Sequence, residues 1–222
     1  METVVLHNQT LTLLPEKAVY LPTHSALLVS DVHLGKSETF QHFGIPVPSQ
    51  VNQATLQRLQ QAQARTQARQ LFVLGDLFHA QAGLVDEVID GWLKFLAITQ
   101  LEAHLILGNH DRPLADELSQ FSLTCHIHPI DLDSMILSHE PLPNHEGLNV
   151  CGHVHPCVQI GGQGDRLRLP CFYWEASLNR LTLPSFGDFT GGYTVSIHQA
   201  ATAYAIADDT IIPFDHAAGR SA

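Results

Sequence analysis

The chain predicts an α/β fold, a β-sandwich of two mixed sheets flanked by helices. Two observations predict it. From residue 26 to residue 107, apolar strand-like runs alternate with helical periods in the order β-α-β-α-β, which implies parallel strands joined by right-handed crossovers. After residue 120, short β-like runs recur between turn signals, with no helical period among them. Two sheets packed face to face with helices outside satisfy both halves. No internal repeat and no linker interrupts the 222 residues, so residues 1–222 are expected to form one domain without a large cap domain.

Taken in order, residues 3–14 and 17–21 read as two strands around Pro15-Glu16, a hairpin. Ala26 to Ser30 is a buried strand. Residues 32–49, with Gly35, Gly44, Pro46 and Pro48, read as a loop. Residues 50–69 form a Gln-rich helix with Val51, Leu56 and Leu59 on its inner face and a solvated outer face. Strand 71–75 follows, then a helix over 84–99 whose Val85, Val88, Ile89, Trp92, Leu93 and Leu96 share one side. Strand 103–107 leads to a short helix over 113–120 that begins at Pro113, a favoured first-turn residue. The later strands are expected at 122–128, 133–138, 147–151, 156–161, 166–172, 180–183, 193–198 and 202–207. Gly161-Gly162, Gly164-Asp165 and Gly191-Gly192 mark turns among them.

Composition narrows the function. The N-terminus has no basic segment followed by an apolar one, and no window approaches the ~18 apolar residues that span a bilayer. A cytoplasmic protein with no membrane contact is the expectation. Cys125, Cys151, Cys157 and Cys171 form no C-x-x-C pair and read as reduced, mostly buried thiols. The net charge of −11 argues against gripping duplex DNA through a broad basic face. It leaves room for a phosphate substrate at a site whose positive charge comes from metal ions.

The chemistry lies in five polar clusters, each directly after an apolar run. They are Asp31-Val32-His33, Gly75-Asp76-Leu77-Phe78-His79, Gly108-Asn109-His110-Asp111, Ser138-His139 and Gly152-His153-Val154-His155. In open α/β sheets ligands bind beyond the carboxyl ends of the strands, so clusters at five such ends can converge on one site. Their His, Asp and Asn donors suit Mn, Fe or Zn in a catalytic site better than a structural zinc, which favours thiolates. Glycines before Asp76, Asn109 and His153 permit sharp bends or close approach. Two divalent ions with Asp31 and Asp76 as the anionic ligands, and one hydroxide, leave the site about one unit positive and attractive to a phosphoryl group. Ions ~3.5–4 Å apart generate hydroxide at neutral pH for attack on phosphorus and clamp the oxygens of an in-line displacement.

The ordered set D-x-H, G-D, G-N-H-D, H, G-H-x-H over residues 26–156 resembles the calcineurin-like metallophosphoesterase superfamily. The resemblance implies the α/β/β/α fold of that superfamily and two divalent ions, with Mn ahead of Fe and Zn. It implies one ion on Asp31, His33, Asp76 and His155, and a second on Asp76, Asn109, His139 and His153. It makes His110 the group that contacts the scissile phosphate and protonates the leaving group, with Asp111 orienting it. Asp111 could equally cap the helix near Pro113. Lipid A-type pyrophosphatases carry Arg where this chain has His110, which disfavours that branch.

Residues 39–48, 138–141 and 183–192 are similar to the bacterial ligase-associated DNA-damage-response phosphoesterase (endonuclease) subfamily, and the Gly75–His79 block to the break-repair exonucleases. This implies a phosphodiesterase or nuclease acting on DNA or nucleotide ends, with a DNA ligase and a helicase of a repair system as partners. The absence of a cap argues against processive duplex degradation. Lys36 and Arg112 are candidates for phosphate oxygens. His79 is expected to fix the loop after Asp76, and His42 and His145 to be surface histidines. Two other readings are a small-substrate phosphatase or cyclic-nucleotide phosphodiesterase, and a repair-complex adaptor with a vestigial metal site.

Overall fold

The computed structural model describes residues 1–48, 50–143, 145–161, 166–188 and 190–216. The chain opens with an antiparallel meander, β1 (Glu2–Leu6), β2 (Gln9–Leu14) and β3 (Ala18–Leu21), which pairs with β4 (Ala26–Val29). Then come α1 (Lys36–His42), α2 (Val51–Thr66), β5 (Gln70–Val73), α3 (Asp86–Thr99), β6 (Glu102–Ile106) and β7 (Thr124–His126). β4, β5, β6 and β7 are parallel, and the first sheet runs in the order β1-β2-β3-β4-β5-β6-β7. The β-rich half supplies β8 (Ile130–Leu132), β9 (Met135–Leu137), β10 (Leu148–Cys151), β11 (Pro156–Ile160), β12 (Leu167–Glu175), β13 (Arg180–Thr182), β14 (Tyr193–Thr194), β15 (Ala201–Ala207) and β16 (Thr210–Phe214). These form a second, mixed sheet in the order β14-β11-β12-β13-β10-β9-β8, with β15 and β16 joined through β12.

Strand alternation builds the layers. Leu28, Phe72, Leu74 and Ile106 point from the first sheet onto Leu137, Val150, Phe172 and Leu181 of the second, forming the core between the sheets. Their neighbours Leu27, Val29, Leu71, Val73 and Leu105 point the other way, onto Leu59 and Ala62 of α2 and Val88, Trp92 and Phe95 of α3. Asp86 and Glu87 occupy the first turn of α3, where acidic side chains favour the helix dipole. After α3 the described residues contain only one-turn helices. The other face of the second sheet, with Tyr173, Ala203 and Ala205, is closed instead by Val158, Val195, Ile197 and Phe214. No helix among the described residues is long and apolar enough to cross a membrane.

Several elements differ from the sequence expectation. The strand expected over 3–14 is two strands, because His7 and Asn8 adopt left-handed φ of 45° and 63° and make a two-residue hairpin turn without glycine. Residues 36–42 are a helix, not loop. The helix expected over 113–120 is two single turns, Arg112–Leu114 and Leu118–Phe121. The run over 133–138 is the second arm of a hairpin turned at Asp133, φ 54°. Strand β16 was not expected. The turn signals at Gly162, Gly164 and Asp165 lie outside the described residues. Of the cysteines, Cys151 and Cys171 are buried, Cys157 is half-buried and Cys125 is exposed.

Candidate metal centre

All five clusters follow the carboxyl ends of strands: β4, β5 and β6 in the first sheet, β9 and β10 in the second. Beyond β4 and β5 the backbone pairing continues. Asp31 N donates to Gly75 O (3.0 Å), His33 N to Asp76 O (2.9 Å), and His79 N to Leu34 O (3.0 Å). Asp31, His33, Asp76, His153 and His155 all adopt left-handed φ, between 51° and 67°. Non-glycine residues take this conformation at a cost, and such residues cluster where a site dictates side-chain direction. Gly152 shows the same tightness. A Cβ there would strike Ser30 Oγ and Asp31 Oδ2, and its absence lets His153 N donate to Asp31 Oδ2 at 3.0 Å.

Asp31 is fully buried. Its Oδ2 accepts from Ser30 Oγ (2.5 Å) and His153 N, while Oδ1 has no hydrogen-bond partner and lies 3.0 Å from His155 Nε2. Burial raises the Asp31 pKa, but the neighbouring His155 and Ser30 outweigh it and hold the carboxyl below its ordinary range. Asp76 is buried too. Its Oδ1 accepts from His110 N (2.9 Å), and Oδ2 faces His139 Nε2 at 3.7 Å and His33 Nε2 at 4.0 Å. Burial raises its pKa, and nearby His139 only partly offsets that. His33 Nδ1 is buried without a partner, and burial drives the ring pKa down to about 2, so this ring is neutral, as a ligand must be.

His139 is the hub. Its Nδ1–H donates to Leu74 O at 2.9 Å, a tautomer assigned from the carbonyl partner, which leaves Nε2 as a bare lone pair. Around that lone pair stand Asn109 Oδ1 and His153 Nδ1, each at 3.1 Å, and Asp76 Oδ2. Donor atoms of Asp31, His33 and His155 lie within 4.8 Å of one another, as do those of Asp31, Asp76 and His139. The oxygens of Asn109 and Asp76 that face this lone pair, with orphaned buried atoms of Asp31 and His33 beside them, repel it unless a cation lies between. The residues therefore fit divalent ions, which Asp31, His33, Asp76, Asn109, His139, His153 and His155 would hold.

His110 sits against this set. Its Nδ1 donates to His79 O at 2.7 Å, its ring is stacked on His79 (centroids 4.9 Å), and it meets His33 edge-on at 5.0 Å. The anchor that orients His110 is thus the His79 carbonyl rather than Asp111. Asp111 is fully buried and accepts from the amides of Asp76 (2.6 Å), Gly108 (3.1 Å) and Phe78 (3.1 Å), tying the loops after β5 and β6 together. It makes no side-chain cap on the helical turn that follows. Burial pushes its pKa up to about 6 despite those amides.

Lys36 begins α1 and is half-buried; burial lowers its pKa while Asp76 opposes the shift. Arg112 is exposed. His42 is exposed at the end of α1. His145 lines a groove of about 500 Å³ with Leu142, Glu146 and Leu178, none of which belongs to the metal set. Sequence reasoning missed Ser30 and Ser185, whose hydroxyls hold the Asp31 side chain and carbonyl. It also missed the cluster of Lys17, Arg58 and Asp188, in which Asp188 accepts from Lys17 Nζ (3.1 Å) and Arg58 (2.9 Å). No spacing signal points to contacts between residues so far apart in the chain.

This arrangement defines a metal-dependent phosphoric ester hydrolase. The model of the calcineurin-like phosphoesterase family matches residues 24–175, and the chain belongs to that family. Among solved structures it is similar to the crystal structure of Pseudomonas putida nuclease MPE, with a TM-score of 0.81 and 32% identity over 96% of this chain and 99% of that one. No curated protein matches the chain.

Proposed function

We propose that the protein is a two-metal phosphodiesterase that cleaves nucleic acid in DNA repair, folded as one domain over residues 1–222 without a large cap, and using Mn before Fe or Zn. The observation that carries this reading is the His139 hub, where ligands from both sheets meet with His110 beside them. Likeness to a nuclease over nearly the whole chain supports the nucleic-acid substrate. Residues 39–48, 138–141 and 183–192 support the repair setting, with a DNA ligase and helicase as partners.

When bound, the ions supply Lewis-acid charge at the phosphoryl group and a nucleophile at neutral pH. The chain does the rest. Asp76 Oδ2 faces His139 Nε2 and would serve as a ligand, while Oδ1 fixes the His110 amide, so the acid and the ligand share one brace. The His79 carbonyl holds His110 Nδ1–H, leaving Nε2 to carry the proton delivered to the leaving oxygen. Lys36 adds positive charge for the phosphate oxygens.

The test is protein reconstituted with Mn, and separately with Zn, assayed on an aryl diester, a phosphomonoester, a 2′,3′-cyclic nucleotide and single-stranded DNA. Turnover of the diester and DNA is expected. Preference for the monoester or cyclic nucleotide, which the net charge of −11 would suit, replaces the reading with a small-substrate enzyme. Two bound ions with no turnover on any ester would leave an adaptor with a vestigial site.

A further inference from the structure

Helix α1 leads outward from the centre. It begins three residues after His33, and Lys36, Phe40 and Phe43 follow at i, i+4 and i+7, which places them on one face. Lys36 Nζ lies 5.9 Å from the Phe40 ring centroid. The Phe40 ring meets His79 edge-on at 6.1 Å, and His79 stacks on His110. Contacts therefore run unbroken from the proposed acid to Phe40, one helical turn short of Phe43. The rise from Lys36 to Phe43 is about 10 Å, on the order of a nucleotide's reach.

Phe43 itself is 70% exposed and Ile45 51%. An exposed phenylalanine forgoes about 1.5–3 kcal/mol of burial. This one does not dangle: Ile45 N donates to Phe40 O (2.9 Å), Gln41 Nε2 donates to Val47 O (2.7 Å), and Gly44 takes a left-handed φ of 77°. The turn fixes the backbone around Phe43, whose ring meets exposed His42 edge-on at 5.2 Å. The charge pattern adds a second constraint. Between Glu38 and Asp76 the sequence has no carboxylate, although the whole chain carries 22 acidic residues. From Phe40 to the end of α2 no carboxylate of the segment itself opposes a polyanion.

We propose that Phe43 is a stacking platform for a nucleobase next to the scissile phosphate, with Lys36 on the intervening phosphate. This rests on the nucleic-acid reading above. Aromatic faces accept any base, so the platform favours unpaired strands over particular sequences.

The test uses metal-loaded full-length protein and a single-stranded oligonucleotide. Phe43→Ala is expected to raise KM about 5- to 100-fold, the range that loss of one base–aromatic stack spans, with little change in kcat. Phe43→Trp should restore KM, and its emission should be quenched when the oligonucleotide binds the metal-free protein. Val5→Ala, equally exposed on the far edge strand β1, should leave KM as it was. On a strand with abasic sites at every position, wild type and Phe43→Ala should have the same KM. An unchanged KM for Phe43→Ala on the normal strand, or an equal rise on the abasic strand, overturns the platform and points to a protein partner for the tip. Active wild type with an unaffected Phe43→Ala sinks the platform and keeps the nuclease reading. Inactive wild type with a quenched Phe43→Trp does the reverse.

Discussion

The two sheets contribute unequal halves to the metal centre. On the first-sheet side Asp31, His33 and Asp76 are at most 6% exposed while Asn109 is exposed, and the loops after β4 and β5 continue their parallel pairing past the strand ends. The braces there are buried hydrogen bonds, Ser30 to Asp31 and three amides to Asp111, with a half-buried one from His110 N to Asp76. On the second-sheet side only His139 is buried. His153 is exposed, and half-buried His155 is held between Gly191 O (Nδ1, 3.1 Å) and Asp31 Oδ1 (Nε2, 3.0 Å). The contrast follows from topology. Neighbouring parallel strands can lace their terminal loops together, whereas the loop after β10 turns back into β11 and leaves its histidines at the opening. In the proposed centre the first half would set ligand positions, and the second would form the side open to solvent.

Damage to the buried half is expected to be the more severe. Asp76→Ala removes the carboxylate shared by both sides. Metal content should fall toward zero and turnover should drop by more than the ~100-fold that loss of an outer hydrogen bond costs a metal site. Elemental analysis finding two ions retained would refute the shared role.

Asp111→Ala probes the lacing itself. It orphans three buried amides, each worth about 1–3 kcal/mol when left unsatisfied, so unfolding free energy should fall by about 3 kcal/mol or more. A denaturant midpoint that barely moves would mean that the loops after β5 and β6 hold each other without it.

His110→Ala separates chemistry from metal holding. His110 is anchored on His79, outside the seven candidate ligands, so ion content should stay near wild type. Turnover of a diester should fall about 10²–10⁴-fold, the usual worth of a general acid. Undiminished turnover would remove His110 from the mechanism.

Both halves were legible as ligand clusters, since His139, His153 and His155 follow apolar runs as Asp31, Asp76 and Asn109 do. Apolar runs ending in Asp31, Asp76 and Asn109 signal strands that deliver ligands, because a buried parallel strand admits few polar residues and those mark its end. What the sequence hid was set by contacts between distant segments. Residues 36–42 read as loop from Gly35, Gly44 and Pro46, yet they form a helix because Thr39 Oγ1 returns to Gly35 O and the segment packs on the turn at Gln81–Gly83. The role of Asp111 was hidden for the same reason, since two of its three partners, the amides of Asp76 and Phe78, lie on the loop after the neighbouring strand.

The weakest prediction concerns the opening. Lys17, Asp188, His155 and Gly191 line a cavity of about 170 Å³ there, and Arg58 reaches Asp188 from α2. Burial raises the Asp188 pKa, but Arg58 and then Lys17 outweigh it, and the net shift is downward from the ordinary 3.8. A carboxyl depressed on folding contributes stability that is fully present above its unfolded value and is lost as pH falls through the folded one. The loss should therefore appear only below about pH 4. Asp188 is 42% exposed, so solvent screening holds the contribution to about 0.5 kcal/mol or less. Asp188→Asn should flatten that last acid limb of the stability curve and change nothing at neutral pH beyond this amount. A larger neutral-pH loss would show that the opening is braced as firmly as the buried side, and the asymmetry between the two halves would then be one of exposure alone.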